Sequence, residues 1–141
     1  MWKSRNSVTL GHKPQADGRL CCPIGEEEVP MASVRVPERD REILEACKRE
    51  ILRRVPEARV LLYGSRARGS ASPESDFDLL VLTPAPLSRE TIRRVRDALY
   101  ELELRYGVVV STLFYSEKEW RDPRRRATPF YREVEREGVV L

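Results

Sequence analysis

Two apolar runs with a polar interruption between them constrain the fold of this chain more than any other feature. The segment reads LLYGSRARGSASPESDFDLLVL. The runs Arg59 to Tyr63 and Phe77 to Leu82 are short and apolar, and a Gly-Ser pair and a Thr-Pro pair end them, which predicts two buried strands. Because residues i and i+2 of a strand project to the same face, we expect Asp76 and Asp78 to lie side by side where the second strand begins.

Helices alternate with strands in the predicted element order, which is α, β, short α, β, α, β, α. Periodic apolar residues, capping residues and β-branched runs mark the elements. Besides the two strands above, they are a helix from Pro37 to Val55, a short helix that starts at Ser65, a helix from Ser88 to about Arg105, a strand from Val108 to Tyr115, a short helix opened by Ser116, a helix from Thr128 to Glu137 and a terminal VVL that can add a strand. This order predicts an α/β (α+β) fold with a small mixed β-sheet flanked by helices.

The amino-terminal part of the chain differs from the rest. Residues 1–30 show no sustained helix or strand period, and we interpret them as a disordered or mis-annotated extension. Met31 opens MASVRVPERDREIL, which resembles an ordinary protein start. The predicted folded domain is therefore residues 31–141.

Composition narrows the classes of function. No apolar run approaches the roughly 18 residues that span a bilayer, and the amino terminus lacks a signal peptide's apolar stretch, so we expect a cytoplasmic protein without membrane contact. The cysteines Cys21, Cys22 and Cys47 fit neither a disulfide framework nor a metal-ligand spacing. A net charge of +3 is too small to indicate nucleic-acid binding by itself, so nucleic acid is not the expected partner.

The aspartate pair predicts a metal site. Two neighbouring carboxylates repel each other, and the pairing of Asp76 with Asp78 is costly unless a cation lies between them. Mg²⁺ prefers oxygen ligands and shares protein carboxylates with substrate phosphates, so it is the predicted ion. The alternative is that both aspartates are solvated turn and strand-edge acids.

The segment between the strands offers groups that bind phosphate. Gly64 permits a tight exit from the first strand, and Ser65 offers its hydroxyl and free backbone N–H groups to an anion. Arg66 and Arg68 add positive charge, and arginine can grip phosphate oxygens through two N–H groups, although both could simply solvate a surface turn. Together with the aspartate pair, these groups predict a nucleotide-triphosphate site.

These residues resemble a known signature. Gly64-Ser65, ten intervening residues and Asp76-Phe77-Asp78 are similar to the G-S-x10-D-x-D motif of the DNA polymerase beta type nucleotidyltransferase superfamily, in its minimal nucleotidyltransferase branch. The strings YGSRARG and SDFDLLV strengthen the match. The resemblance implies a nucleotidyltransferase-like fold, Mg²⁺ held at Asp76 and Asp78, and a triphosphate, ATP above all, held at Gly64 and Ser65. It further implies transfer of an NMP group, such as AMP, to a protein or small acceptor.

The same resemblance implies a protein partner. Members of this branch are often paired with HEPN-domain proteins, and some are antitoxins that adenylylate a tyrosine of that partner. A HEPN-domain protein is therefore the expected partner of this chain.

The chain departs from the family pattern at one position. Active members usually carry a third carboxylate on the strand after the long helix, but that strand reads VVVSTLFY and places Ser111 about where the acid is expected. A hydroxyl is a weak metal ligand and a poor base, and nothing in the sequence directs Glu101 or Glu103 to the site. Two alternatives to the enzyme stay open: a degenerate nucleotide- or partner-binding module, and an RNA-binding role through the arginines.

Overall fold

The computed structural model describes residues 36–141, so the predicted extension at residues 1–30 lies outside the described residues. All of the predicted helices and strands are present, together with one short helix, α5, that was not predicted from the sequence. In chain order the elements are α1 (Glu38–Arg54), β1 (Arg59–Tyr63), α2 (Ser65–Arg68), β2 (Phe77–Thr83), α3 (Arg89–Tyr106), β3 (Val110–Ser116), α4 (Glu117–Trp120), α5 (Pro123–Arg126), α6 (Pro129–Glu137) and β4 (Val139–Val140).

The strands form one mixed sheet, which confirms the predicted fold class. Their order is β3-β2-β1-β4. Strand β1 pairs antiparallel with β2 and with β4, whereas β2 and β3 are parallel. The two central strands carry the two halves of the sequence motif, because Gly64 directly follows β1 and Asp78 is the second residue of β2.

Helices α1 and α3 cover one face of this sheet. The apolar stripe predicted for α1 is buried there, with Ile43, Leu44 and Cys47 fully enclosed. Cys47 is thus a buried small hydrophobic residue of this helix. The β2 residues that pack in this cluster are Phe77, Leu79 and Val81.

The opposite face of the sheet packs against α4 and α6. Trp120 and Tyr131 are buried there with Leu80 and Leu82 of β2, so these aromatic residues belong to the core. Because side chains alternate along a strand, Asp78 projects from the same face as Leu80, toward the side on which α6 lies. Across residues 36–141, no helix is both long enough and apolar enough to cross a membrane.

Candidate active site

Asp78 lies at the centre of the sheet edge where the motif residues meet. The pairing register places it opposite Tyr63 of β1 on one side and Ser111 of β3 on the other. Asp78 is half-buried, while Asp76, just before the strand, is exposed. The two aspartates of the motif therefore lie at the start of β2, Asp76 one residue before the strand and Asp78 at its second position.

The electrostatics of the pair favour a cation. Burial raises the pKa of the Asp78 carboxyl above its ordinary value, and the neighbouring charge of Asp76 raises it further. The raised pKa means that two ionised carboxylates at this edge are unfavourable without positive charge. Arg68 acts in the opposite direction and lowers the Asp78 pKa.

Gly64 lets the backbone of the Gly-Ser turn approach the Asp78 carboxylate. Its φ of 81° and ψ of −160° lie in a region of backbone conformation that residues other than glycine rarely adopt. A Cβ atom at this position would overlap with Oδ2 of Asp78. The Gly-Ser turn and the aspartate are therefore in direct van der Waals proximity, and Ser65 begins α2 immediately beside them.

Arg66 turns away from this edge and holds the loop between α2 and β2. Its buried guanidinium forms an ion pair with Asp40 of α1 and donates to the Ser75 carbonyl from Nη2 at 2.8 Å and from Nε at 3.1 Å. The guanidinium carbon also lies 4.0 Å from the centroid of the Phe77 ring. Sequence reasoning did not find Asp40, because an acid in the first turn of a helix is ordinarily explained by the helix dipole.

Arg68, in contrast, lies on the exposed side and joins α2 to α6. Its Nη1 atom is 3.1 Å from Glu133 Oε2 and 3.1 Å from Glu137 Oε1. These are exposed ion pairs, and α2 is thereby tied to the same helix that covers the Asp78 face. Of the two arginines predicted to bind phosphate, only Arg68 lies on the side of α2 from which its charge acts on Asp78.

Glu133 was missed by sequence reasoning. It belongs to α6, the last helix, some fifty-five residues after Asp78 in the printed sequence. Its negative charge contributes to the raised pKa of Asp78, after burial and Asp76. It also contributes to the pKa of Tyr63, which burial first and Asp78 second raise to about 12. No pattern within α6 signals this placement, since an acid on an amphipathic helix is ordinarily solvated.

Ser111 stands where the third carboxylate was expected, directly beside Asp78 in the register of β2 and β3. Glu103 does not replace it, because its carboxylate accepts the Val110 N–H at 2.8 Å. Within residues 36–141, no group of three or more His, Cys, Asp or Glu side chains could hold a metal ion. The donor set, two carboxylates in need of a cation, nevertheless fits Mg²⁺ when substrate oxygens supply further ligands.

A mixed sheet that joins a Gly-Ser turn to an Asp-x-Asp strand defines the protein as a nucleotidyltransferase. The model of the nucleotidyltransferase domain family matches residues 41–138, and the chain belongs to this family. This membership confirms the resemblance inferred from the motif.

Curated relatives come from two lineages. Two candidate protein adenylyltransferases of Methanocaldococcus jannaschii are 34% and 30% identical over 83 residues, covering 59% of this chain and 76% and 77% of the relatives. A bifunctional uridylyltransferase/uridylyl-removing enzyme of Bordetella pertussis is 38% identical over 87 residues, which are 57% of this chain and 10% of that enzyme. A solved toxin-antitoxin structure with AMP-PNP is similar at a TM-score of 0.48 and 20% identity, over 68% of this chain and 70% of that one.

Proposed function

We propose that this nucleotidyltransferase moves AMP from ATP to a hydroxyl group of a protein acceptor. The observation that carries the proposal is the approach of the Gly64 turn to the Asp78 carboxylate, because it joins a phosphate-binding segment to a metal-binding pair at one edge. The two archaeal relatives, named for adenylyl transfer to proteins, support the choice of AMP and of a protein acceptor over a small molecule.

The proposed reaction is an in-line displacement at the α-phosphorus. The acceptor oxygen forms a bond to that phosphorus, the bond to the oxygen bridging to the β-phosphate breaks, and pyrophosphate leaves with the bonding electron pair. Asp76 and Asp78 would hold Mg²⁺, which neutralises charge on the triphosphate when it is bound. Gly64 and Ser65 would bind the leaving pyrophosphate through the backbone and the hydroxyl, and Arg68 would add a cation.

Arg66 would act on the nucleotide indirectly. With its guanidinium committed to Asp40 and to the Ser75 carbonyl, it fixes the loop that leads into Asp76. We therefore propose that Arg66 positions Asp76, the first aspartate of the pair. This role replaces the direct contact with phosphate that the sequence predicted.

The partner is proposed from the family resemblance. A HEPN-domain protein would be the acceptor, and this chain would be the antitoxin that modifies a tyrosine of that protein. A serine in place of an acid at position 111 favours a second candidate function. In this alternative the chain is a module that binds such a partner without transferring a nucleotide.

One incubation separates the two candidates. The chain, Mg²⁺ and each of the four NTPs labelled at the α-phosphate are mixed with a co-expressed HEPN-domain protein, and label and intact mass are measured. We expect the HEPN protein to gain the mass of AMP from ATP. A stable complex without any added mass would instead identify the binding module.

Substitution of the aspartates tests the assignment of the site. Asp76→Ala and Asp78→Ala should each lower the transfer rate at least about a hundredfold, since removing a metal carboxylate removes several kcal/mol of transition-state stabilisation. Glu57→Ala is a matched control, because Glu57 is an exposed acid just before β1, at the opposite end of that strand from Gly64. Turnover that survives both aspartate substitutions would refute the proposed site.

A further inference from the structure

We propose that Glu133 of α6 supplies the carboxylate that this chain lacks at Ser111, and that it accepts the proton of the acceptor hydroxyl. The inference rests on the proposed transfer reaction and adds a catalytic residue to it from a part of the chain outside the motif.

The packing of α6 on the sheet places Glu133 near the site. The ring of Phe130 meets the ring of Tyr63 edge to face, with 5.3 Å between centroids. Tyr63 is the register partner of Asp78, so Phe130 packs on the residue beside that aspartate. Because residues three apart on a helix share a side, Glu133 projects over the same end of the sheet one turn later.

The ion pair between Arg68 and Glu133 is independent evidence that Glu133 lies near the site. Arg68 lies in α2, directly after the Gly64-Ser65 turn, and its Nη1 atom is 3.1 Å from Glu133 Oε2. Because Arg68 is the last residue of the short helix that Gly64 precedes, this ion pair holds Glu133 close to the Gly-Ser turn.

The other acids near the site fit the role less well. Glu137 forms the same 3.1 Å ion pair with Arg68, but it lies one helical turn farther than Glu133 from Phe130, the residue that packs on Tyr63. Glu135 is two residues from Glu133 and so faces another side of α6, where Arg126, Arg121 and Tyr131 act on it. Glu133 is thus the acid of α6 that both pairs with Arg68 and lies one turn from the contact between Phe130 and Tyr63.

The ion pair with Arg68 suggests how Glu133 becomes free to act. Arg68 is 40% exposed, so its side chain has room to turn. A bound triphosphate carries more negative charge than one carboxylate, and arginine binds phosphate oxygens well. When Arg68 moves to the phosphate, Glu133 loses its cation and faces the acceptor as an ionised base.

The step balances as a proton transfer coupled to displacement. An Oε atom of Glu133 takes the proton from the acceptor hydroxyl while the acceptor oxygen forms its bond to the α-phosphorus. Pyrophosphate leaves with the electron pair of the broken P–O bond, and the protonated Glu133 then releases its proton to solvent. General bases of this kind contribute about 10²–10⁴-fold to rate.

The test compares Glu133→Gln with Glu137→Gln in the full chain. Both variants are isosteric, and each removes one ion pair of Arg68. We expect Glu133→Gln to lower kcat for AMP transfer by about 10²–10⁴-fold, while the affinity for ATP, measured by fluorescent-nucleotide titration, changes less than about threefold. Glu137→Gln should keep kcat within about threefold of the unmodified chain, and both should retain its unfolding midpoint.

A third variant tests the replacement itself. Adding Ser111→Asp to Glu133→Gln puts an acid beside Asp78 in the register of β3, and we expect it to restore at least about tenfold of the lost rate. A rate for Glu133→Gln within threefold of the unmodified chain, equal losses in both glutamine variants, or no restoration by Ser111→Asp would each overturn the inference. Absence of transfer by the unmodified chain would instead refute the proposed function.

Discussion

Replacing Gly64 with alanine tests how closely the backbone of the turn approaches the Asp78 carboxylate. Two separate costs are expected. The backbone conformation, with φ 81° and ψ −160°, is strained for any residue with a side chain and should cost about 1–3 kcal/mol. The new methyl group would also overlap with Oδ2 of Asp78, so this carboxylate, or the turn itself, has to move.

Gly69 provides a control that separates these costs. Its φ is 82°, so alanine there is also strained, by about 1–2 kcal/mol. A Cβ atom at Gly69 meets nothing within 4 Å, however, and displaces no functional group. Gly69→Ala should therefore lower stability alone, whereas Gly64→Ala should lower stability and also misplace a proposed metal ligand.

The assay pairs urea unfolding with AMP transfer. We expect both variants to lose free energy of unfolding, with the larger loss at Gly64, and only Gly64→Ala to lose transfer by at least about a hundredfold, because a displacement near 1 Å in a reacting site can have that effect. Rates must be measured where each variant is fully folded. Equal transfer rates in the two variants would refute the close approach of turn and carboxylate.

Two further predictions concern buried charge. Asp40→Asn leaves the guanidinium of Arg66, 7% exposed, without its carboxylate, and should lower the free energy of unfolding by about 3–5 kcal/mol in urea titrations; a loss below about 1 kcal/mol would mean that the pair is solvated. Burial raises the pKa of Glu135 from 4.5 to about 7, so the folded state binds more protons than the unfolded state between these values and stability falls as pH rises through them. Glu135→Gln should therefore flatten this fall and stabilise the fold at pH 8 by about 1 kcal/mol after allowance for solvent screening, and an unchanged slope between pH 5 and pH 8 would contradict it.

The central part of the fold could be predicted from sequence because its signals are local. Apolar runs that end at Gly64 and at Thr83 fix both central strands, and the strand period fixes the side-by-side placement of the aspartates. Helix α5 was missed because it spans a single turn. Its signals, Asp122 as N-cap and Pro123 at the first position, resemble those of an ordinary turn.

The separate roles of Arg66 and Arg68 could not be predicted from their residue type. On a helix, two residues two positions apart are rotated by roughly 200° around the helix axis and so point to nearly opposite sides. One arginine therefore faces the protein and the other faces solvent. Which one is buried depends on Asp40, which arrives from α1 and provides the carboxylate for Arg66. The sequence contained both partners but gave no sign of their contact, since they are far apart along the chain.

The position of Glu133, the proposed third acid, could be predicted from the sequence even less. The family pattern directs attention to the strand beside β2, where the register indeed places Ser111 next to Asp78. The other neighbour of Asp78 in the sheet is Tyr63, and the helix that packs on Tyr63 through Phe130 also carries Glu133. An acid lost from one side of a central strand can be replaced from the layer above it, because the chemistry needs a carboxylate at a point in space and not on a particular strand. Only the packing of α6 on the sheet brings Glu133, the proposed replacement, to this end of the sheet.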